Sequence, residues 1–262
     1  MRRLVVKIGT ANLCRSGRLC QNIFNDLARQ IAVLIDKGLE LVVVSSGAIR
    51  AGRERMGEGT LCLHKKDLAG IGARHLMNRW GDAFAFYGRE VGQVWVTYAN
   101  WTHKGERASI QSCISNYLDS RMVVPVINEA DVISDREIKL MEKGFSENDR
   151  LARMIAVLVG ADAVLFLTDN GGIYTEDPEK NPHARLYEEI SIHARPESVG
   201  ISSGTSKTGI GGMMAKWSEA SYCAKKGMTV AIAGNEKDVI LRFAKGESVG
   251  TKMGTVTRLK RK

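Results

Sequence analysis

No apolar run in this 262-residue chain approaches the ~20 residues that a membrane helix requires. The basic start, Met1-Arg2-Arg3, precedes an apolar stretch that Lys7 interrupts after three residues, which reads against a signal peptide. Cysteine is sparse and odd in number: Cys14, Cys20, Cys62, Cys113 and Cys223 form no C-x-x-C pair, so neither a disulfide framework nor a zinc cage is expected. Reduced thiols in a cytosolic protein are the simplest reading. The five histidines are scattered, without H-E-x-x-H, and a metal site made by the protein alone is not expected. The P-loop pattern G-x-x-x-x-G-K-[ST] does not occur. Gly209-Ile210-Gly211-Gly212-Met213-Met214 begins like G-x-G-x-x-G but ends in methionine with no clear strand before it, which disfavours a dinucleotide site. Internal repeats, linkers and low-complexity stretches are absent too, so one large domain is expected.

What the chain does contain is hydrophobic residues at 44%, ample for a core, and 27 glycines, about 10% against about 7% ordinarily. Its net charge is +9, of which Arg258, Lys260, Arg261 and Lys262 contribute four, leaving +5 for the body. Small polyanionic substrates explain that balance as well as nucleic acid does, so nucleic acid is not expected as the primary partner.

Arg3–Ile8 is a short apolar run closed by Gly9 and predicts a buried strand. Gly9–Asn12 reads as a turn, and apolar residues at helical spacing over 22–37 predict a helix stopped by Gly38. Leu39–Ser45 is a second strand, which makes the first 45 residues a βαβ unit on a parallel sheet. That strand ends in Ser45-Ser46-Gly47-Ala48, small residues that suit an anion where a strand turns into a helix. Further helices are expected over about 65–87, 107–119 and 150–159, with strands over 91–97, 122–127 and 161–168. Pro125 points to the first residues of its strand or to an irregular one. Asn128-Glu129-Ala130-Asp131 puts polar residues at a strand's C-terminal end, where open α/β sheets bind ligands. Val132–Gly144 reads as a hairpin or mobile excursion, and Ser146-Glu147-Asn148-Asp149 as the capping approach to the next helix. A strand over 228–233, a short helix over 238–243 and a last strand over about 250–256 complete the series.

Ser203–Lys216, SGTSKTGIGGMMAK, packs four glycines and two lysines into fourteen residues ahead of a helix-compatible run. Glycines let backbone amides approach an anion, and a helix starting there adds its positive end. By themselves these residues fit a phosphate cradle or a solvated surface loop equally well. Lys7 offers a similar choice. It is either on an edge strand and pointed at water, or aimed at an anion, because an unpartnered buried ammonium is costly. Together Lys7 and Lys216 could hold a transferring phosphoryl group from two sides.

VVKIGT, SSGAIRAG, VINEAD, SEND, LTDNGGIYTEDP and GIGGMMAK occur in this order, and the chain from Leu4 to Thr251 resembles the glutamate 5-kinase branch of the amino-acid kinase family. The resemblance implies an α/β fold, a three-layer αβα sandwich with a mainly parallel central sheet, in one domain over 1–257 followed by a basic tail over 258–262. It implies transfer of the ATP γ-phosphate to the side-chain carboxylate of L-glutamate, giving glutamyl 5-phosphate on the route to proline. Lys7 and Lys216 match the phosphate-stabilising lysines, and Asp149 the acid that orients them. Ser46, Asp131 and Asn148 match glutamate-holding residues, with Thr10 and Gly47 close by. Thr168, Asp169 and the loop Ile210-Gly211-Gly212-Met213-Met214-Ala215-Lys216 match the ATP site. Mg2+ would be held mainly by ATP phosphates and water. A cytoplasmic homo-oligomer, dimer or tetramer, is implied, along with handover of product to glutamyl-phosphate reductase.

Four departures from the family pattern stand out. Ile210 replaces the usual threonine of G-T-G-G-M, Ala130 the second asparagine of N-E-N-D, and Ser146-Glu147 the G-D of G-D-N-D. The Val91–Gly105 region, with Trp95, Trp101 and His103, resembles the family weakly. Such losses are expected to weaken glutamate affinity or shift specificity, with both lysines intact. The chain ends at Lys262 without the RNA-binding-type domain of many family members, so end-product regulation is not assured. Two other readings stay open: a kinase for another small carboxylate or phosphate acceptor, and a non-catalytic anion-binding or storage protein on the same fold.

Overall fold

The computed structural model describes residues 1–57, 63–133, 147–199 and 210–260. Strand β1 (Arg3–Ile8) passes through a 3-10 turn (Thr10–Leu13) and a small hairpin, β2 (Cys14–Arg15) and β3 (Arg18–Leu19), into α1 (Gln21–Asp36). Next come β4 (Glu40–Ser45), α2 (Ala48–Met56), α3 (Lys65–Ala85), β5 (Glu90–Val96), α4 (Tyr98–Thr102), α5 (Lys104–Ser120) and β6 (Val123–Glu129). The remainder is α6 (Glu147–Leu158), β7 (Ala163–Leu167), β8 (Tyr187–Ser191), α7 (Ile210–Lys225), β9 (Thr229–Ala233), α8 (Val239–Ala244), β10 (Thr251–Gly254) and β11 (Arg258–Leu259).

Among the described residues one nine-stranded sheet runs β11-β8-β10-β9-β7-β1-β4-β6-β5. The block from β9 to β5 is parallel throughout, so the C-terminal ends of six strands share one edge. Strand alternation sorts the core into two faces. Leu4, Val6, Ile8, Leu41 and Val43 pack on α1, α2, α3 and α8, while Val5, Val42 and Val44 pack on α5, α6 and α7. The expected αβα sandwich and mainly parallel sheet are therefore present.

The structure moves several predicted elements. Pro125 is the third of seven residues in an inner strand. β6 pairs with β5 along its length, but its ladder to β4 covers only Val126 and Ile127, beginning just past the residue that has no N–H to give. α6 starts at Glu147, so Asn148 and Asp149 lie in its first turn instead of ahead of it. Thr10–Leu13 is a 3-10 turn, α4 was not foreseen, and Tyr187–Ser191 is a strand where the sequence gave no clear signal. Arg258 and Leu259 form a strand antiparallel to β8, with Arg258 bonded to Glu189 at 2.5 Å, so the sheet continues two residues into the stretch set apart as a tail. Residues 134–144 of the expected excursion lie outside the described residues.

Two glycines set the spacing of α2 and α3. A Cβ on Gly52 would overlap the Leu68 carbonyl, and one on Gly72 the Ala48 carbonyl, so the two helices meet backbone to backbone. Cys14, Cys20, Cys113 and Cys223 are free thiols, and burial pushes the Cys223 thiol up to about 12, which makes it inert.

At the opposite edge of the sheet, β1 is anchored by carboxylates. Glu40 receives Arg2 Nε at 3.0 Å and Arg3 Nε at 2.6 Å, and Asp162 receives the backbone N–H groups of Arg2 and Arg3 at 2.6 and 2.8 Å. Burial alone would raise the Glu40 carboxyl, but the Arg3 and Arg2 guanidinium groups outweigh it and hold it below the ordinary range. The Arg3 and Arg2 amides lower Asp162 likewise. Both groups therefore stabilise the fold above the unfolded carboxylate pKa of about 4 and lose that contribution as the pH falls below it. Glu40→Gln is expected to lower the melting temperature by about 5 °C at pH 7. Thermal melts at pH 7, 5 and 3 should show that gap closing toward pH 3. A constant gap would mean that Glu40 acts by packing alone.

Candidate functional site

β1 lies between β4 and β7, so the edge-strand reading of Lys7 is excluded. Strand alternation puts Lys7 on the same face as Val5, under α6 and α7. Its ammonium, 2% exposed, contacts Asp149 Oδ1 at 2.7 Å, and Lys216 Nζ contacts Asp149 Oδ2 at 3.3 Å. Asp149 is itself fully buried. One carboxylate thus separates and aims two ammonium groups, leaving the cluster with a net +1. That is the partner which a buried lysine requires. The register places Lys7 beside Val44 and Phe166, one residue from the ends of β4 and β7, so the cluster sits at the sheet's C-terminal edge.

The same edge assembles a second group. Ser46 follows β4, and its Oγ accepts a hydrogen bond from Asn148 Nδ2 at 2.7 Å. Asn148 Oδ1 and Asn128 Oδ1 are buried without a hydrogen-bond partner. Gly47, with φ +118°, turns the chain into α2 in a backbone region that L side chains rarely adopt. Asp131 is buried two residues beyond β6, and Thr10 opens the 3-10 turn after β1. Thr168 is buried just past β7, and its hydroxyl donates to the exposed Asp169 carboxylate at 3.1 Å. The helical first turn of α6 turns the Asn148 amide toward Ser46 and the Asp149 carboxylate toward the lysines, which a mere capping approach would not require.

The glycine-rich stretch needs a correction. Ile210-Gly211-Gly212-Met213-Met214-Ala215-Lys216 is not a loop but the first two turns of α7. Lys216 is the seventh helical residue and reaches back from the second turn to Asp149. Met213 and Met214 pack against the core cluster under α6 and α7, which gives their side chains a filling role. Backbone amides of the first helical turn have no intrahelical acceptor and are the groups available to an anion. Residues 203–209 and the side chain of Ile210 lie outside what is described.

One residue of this edge was not anticipated. Trp80 of α3, fully buried, donates its indole N–H to Ser45 Oγ at 3.0 Å, while Asn128 Nδ2 donates to the Ser45 carbonyl at 2.7 Å. The signal was available: Leu41, Val43 and Ser45 alternate onto one face, and a serine among apolar neighbours needs a buried donor.

The amino acid kinase family model matches residues 2–234. Glutamate 5-kinase of Photorhabdus laumondii is 38% identical over 254 residues, covering 95% of this chain and 67% of that protein. Glutamate 5-kinase of Yersinia enterocolitica is 38% identical over 256 residues, 95% of this chain and 68% of its own length. The chain thus spans about two thirds of these relatives. A solved UMP kinase from Bacillus anthracis superposes with a TM-score of 0.67 over 99% of both chains at 16% identity, and one from Ureaplasma parvum at 0.63 over 97% of this chain and 99% of that one, at 15%. At such identities the superpositions speak for the fold alone. The family match over most of the length and the likeness to the two glutamate 5-kinases settle the lineage: the chain belongs to the amino acid kinase family.

Proposed function

We infer that this chain is an ATP-dependent glutamate 5-kinase, which phosphorylates the side-chain carboxylate of L-glutamate to L-glutamyl 5-phosphate at the entry to proline biosynthesis. The curated relatives carry that name. The observation that carries the reading is the pair of lysines gripping one buried carboxylate at the sheet's C-terminal edge. A carboxylate oxygen of glutamate attacks the γ-phosphorus, the bond to the β,γ-bridging oxygen breaks, and ADP leaves. The attacking carboxylate is already ionised at neutral pH, so no general base is needed. Lys7 and Lys216 stabilise the charge spread over the transferring group, and Asp149 keeps them apart and aimed. Ser46, Asn148 and Asp131 are read as the acceptor side. Thr168, Asp169 and the start of α7 are read as the nucleotide side.

Among the described residues no group of three His, Cys, Asp or Glu could cage a metal, and both Asp149 oxygens are engaged by lysine. On this reading a divalent ion, Mg2+, is carried on the nucleotide phosphates and water, where it would neutralise phosphate charge. No helix among the described residues is long and apolar enough to cross a membrane. A cytoplasmic homo-oligomer that hands its labile acyl phosphate to glutamyl-phosphate reductase completes the reading.

The deciding experiment measures ATP consumption with a panel of amino acids while hydroxylamine traps acyl phosphate. Hydroxamate formed with glutamate and lost in Lys216→Ala supports the assignment. Turnover with another carboxylate would reassign the acceptor, and no turnover with any would overturn the kinase reading.

Trp80→Phe tests the acceptor side. The ring keeps its stacking on Phe84 and edge contact with Phe24, but Ser45 Oγ loses its donor. The KM for glutamate is expected to rise about fivefold, as for one lost buried hydrogen bond, with the KM for ATP unchanged. Equal changes in both would assign Trp80 to the core alone.

A further inference from the structure

Helix α6 turns Asp149 toward the lysines and Arg150, Arg153 and Met154 toward a different space. A cavity of about 560 Å3 lies there, lined among the described residues by Arg107, Arg150, Arg153, Tyr98 and Trp101 together with apolar residues of α6, none of these being acidic. The Arg150 guanidinium stacks 4.9 Å over the Tyr98 ring, and Arg107 has no acidic partner among the described residues. Across Arg153 a second cavity of about 310 Å3 opens against α7, lined by Trp217, Ser221 and Tyr222 and by the charged residues Glu219 and Lys225. Trp217 Nε1 and Ser221 Oγ are both buried without a hydrogen-bond partner among the described residues. Arg153 itself is shared, bonded to Glu219 and stacked 4.5 Å over Tyr222.

This groove offers guanidinium groups beside aromatic and aliphatic surface, with Glu219 of the second cavity paired to Arg153. The ligand that matches is rich in acceptors, negatively charged and partly flat and apolar. Guanidinium pairs carboxylate or phosphate, and aromatic rings favour a ring. The volume suits a small molecule.

The position also implies a consequence of binding. Asn148, Asp149 and Arg150 are consecutive on α6, and Lys216 and Trp217 are consecutive on α7. A ligand drawn onto Arg150, Arg153 and Trp217 bears on both helices that hold the lysine–aspartate cluster. We propose that this groove is an effector site for a small ring-bearing organic carboxylate or phosphate, which alters turnover through α6 and α7. The binding half is independent of the kinase assignment, whereas the effector half rests on it.

Isothermal titration of the full chain with phenyl phosphate tests the binding half, with saturating ADP and glutamate present to fill the catalytic centre. Inorganic phosphate and benzyl alcohol serve as the probe's two halves. Saturable binding at one probe per chain is expected, about tenfold tighter than inorganic phosphate and weakened about tenfold in Arg107→Gln. Trp101→Ala should remove the advantage over inorganic phosphate. If that variant fails to fold, the exposed Arg107→Gln decides. No saturable heat, binding unchanged in Arg107→Gln, or binding abolished by ADP and glutamate would each overturn the site. Steady-state turnover with and without the probe tests the effector half. A change of about twofold or more supports it, and binding that leaves turnover unaltered overturns it.

Discussion

Lys7→Ala is expected to lower kcat by about 10²- to 10³-fold, the loss typical of removing one preorganised charge stabiliser from a transfer site. The expectation rests on where β1 holds the residue. Lys7 is fixed in a strand paired on both sides, 2% exposed, and already partnered by a carboxylate that sets its direction. Such a group needs no rearrangement as charge builds on the phosphoryl oxygens, so its contribution belongs to the transition state more than to the bound nucleotide. The KM for ATP should therefore move far less than kcat in steady-state hydroxamate assays. Lys216 is more exposed, at 14% of its side chain, and approaches from the second turn of α7. A Lys7 variant that lost only ATP affinity, with kcat intact, would contradict the two-lysine clamp.

Asp149→Asn should strike stability and turnover together. The carboxylate is fully buried between two ammonium groups, and an amide in its place removes the anion that both lysines contact. Breaking a buried pair from one side costs about 3–5 kcal/mol, which for a chain of this size corresponds to a melting temperature about 10 °C lower. The double variant Lys7→Met with Asp149→Asn separates the two effects. It removes both buried charges, so much of the stability should return while turnover does not. Calorimetry supplies the first reading and hydroxamate production the second. A single variant melting like the parent chain would show that Asp149 bears no structural charge, and the electrostatic account of the cluster would fail.

How far the sequence reveals this site depends on which element carries each residue. Strand positions were readable because alternation is strict. Lys7 falls on one face with Val5, and Ser45 on the other with Val43, before any coordinates are known. Strand ends were readable too, since short apolar runs closed by Gly9, Ser46-Gly47 or Thr168-Asp169 mark the ligand-binding edge. The start of α7 was not. Gly209, Gly211 and Gly212 carry weak helix propensity and suggest a loop, yet the helix begins at Ile210 because Met213, Met214 and Trp217 bury against the core. Short elements held by tertiary pairing were invisible for the same reason. β8 and β11 are ordered by partners distant in sequence, one of them through Arg258 and Glu189. Asn148 and Asp149 stand out in the sequence, but only the packed helix shows that their side chains serve two different neighbours.

The backbone contact at Gly52 and Gly72 has a bearing on how this enzyme could change acceptors. Ala48, whose carbonyl abuts Gly72, is the first residue after the Ser46–Gly47 turn. Through that contact the turn is tied to both α2 and α3, and the Leu76 side chain of α3 also lies close to Gly47. Room for a longer or shorter acceptor cannot be made by swinging that wall. On the proposed assignment of the acceptor side, that room is sought at Asp131 and Asn148 instead, with the departure at Ala130 next to Asp131 in the chain.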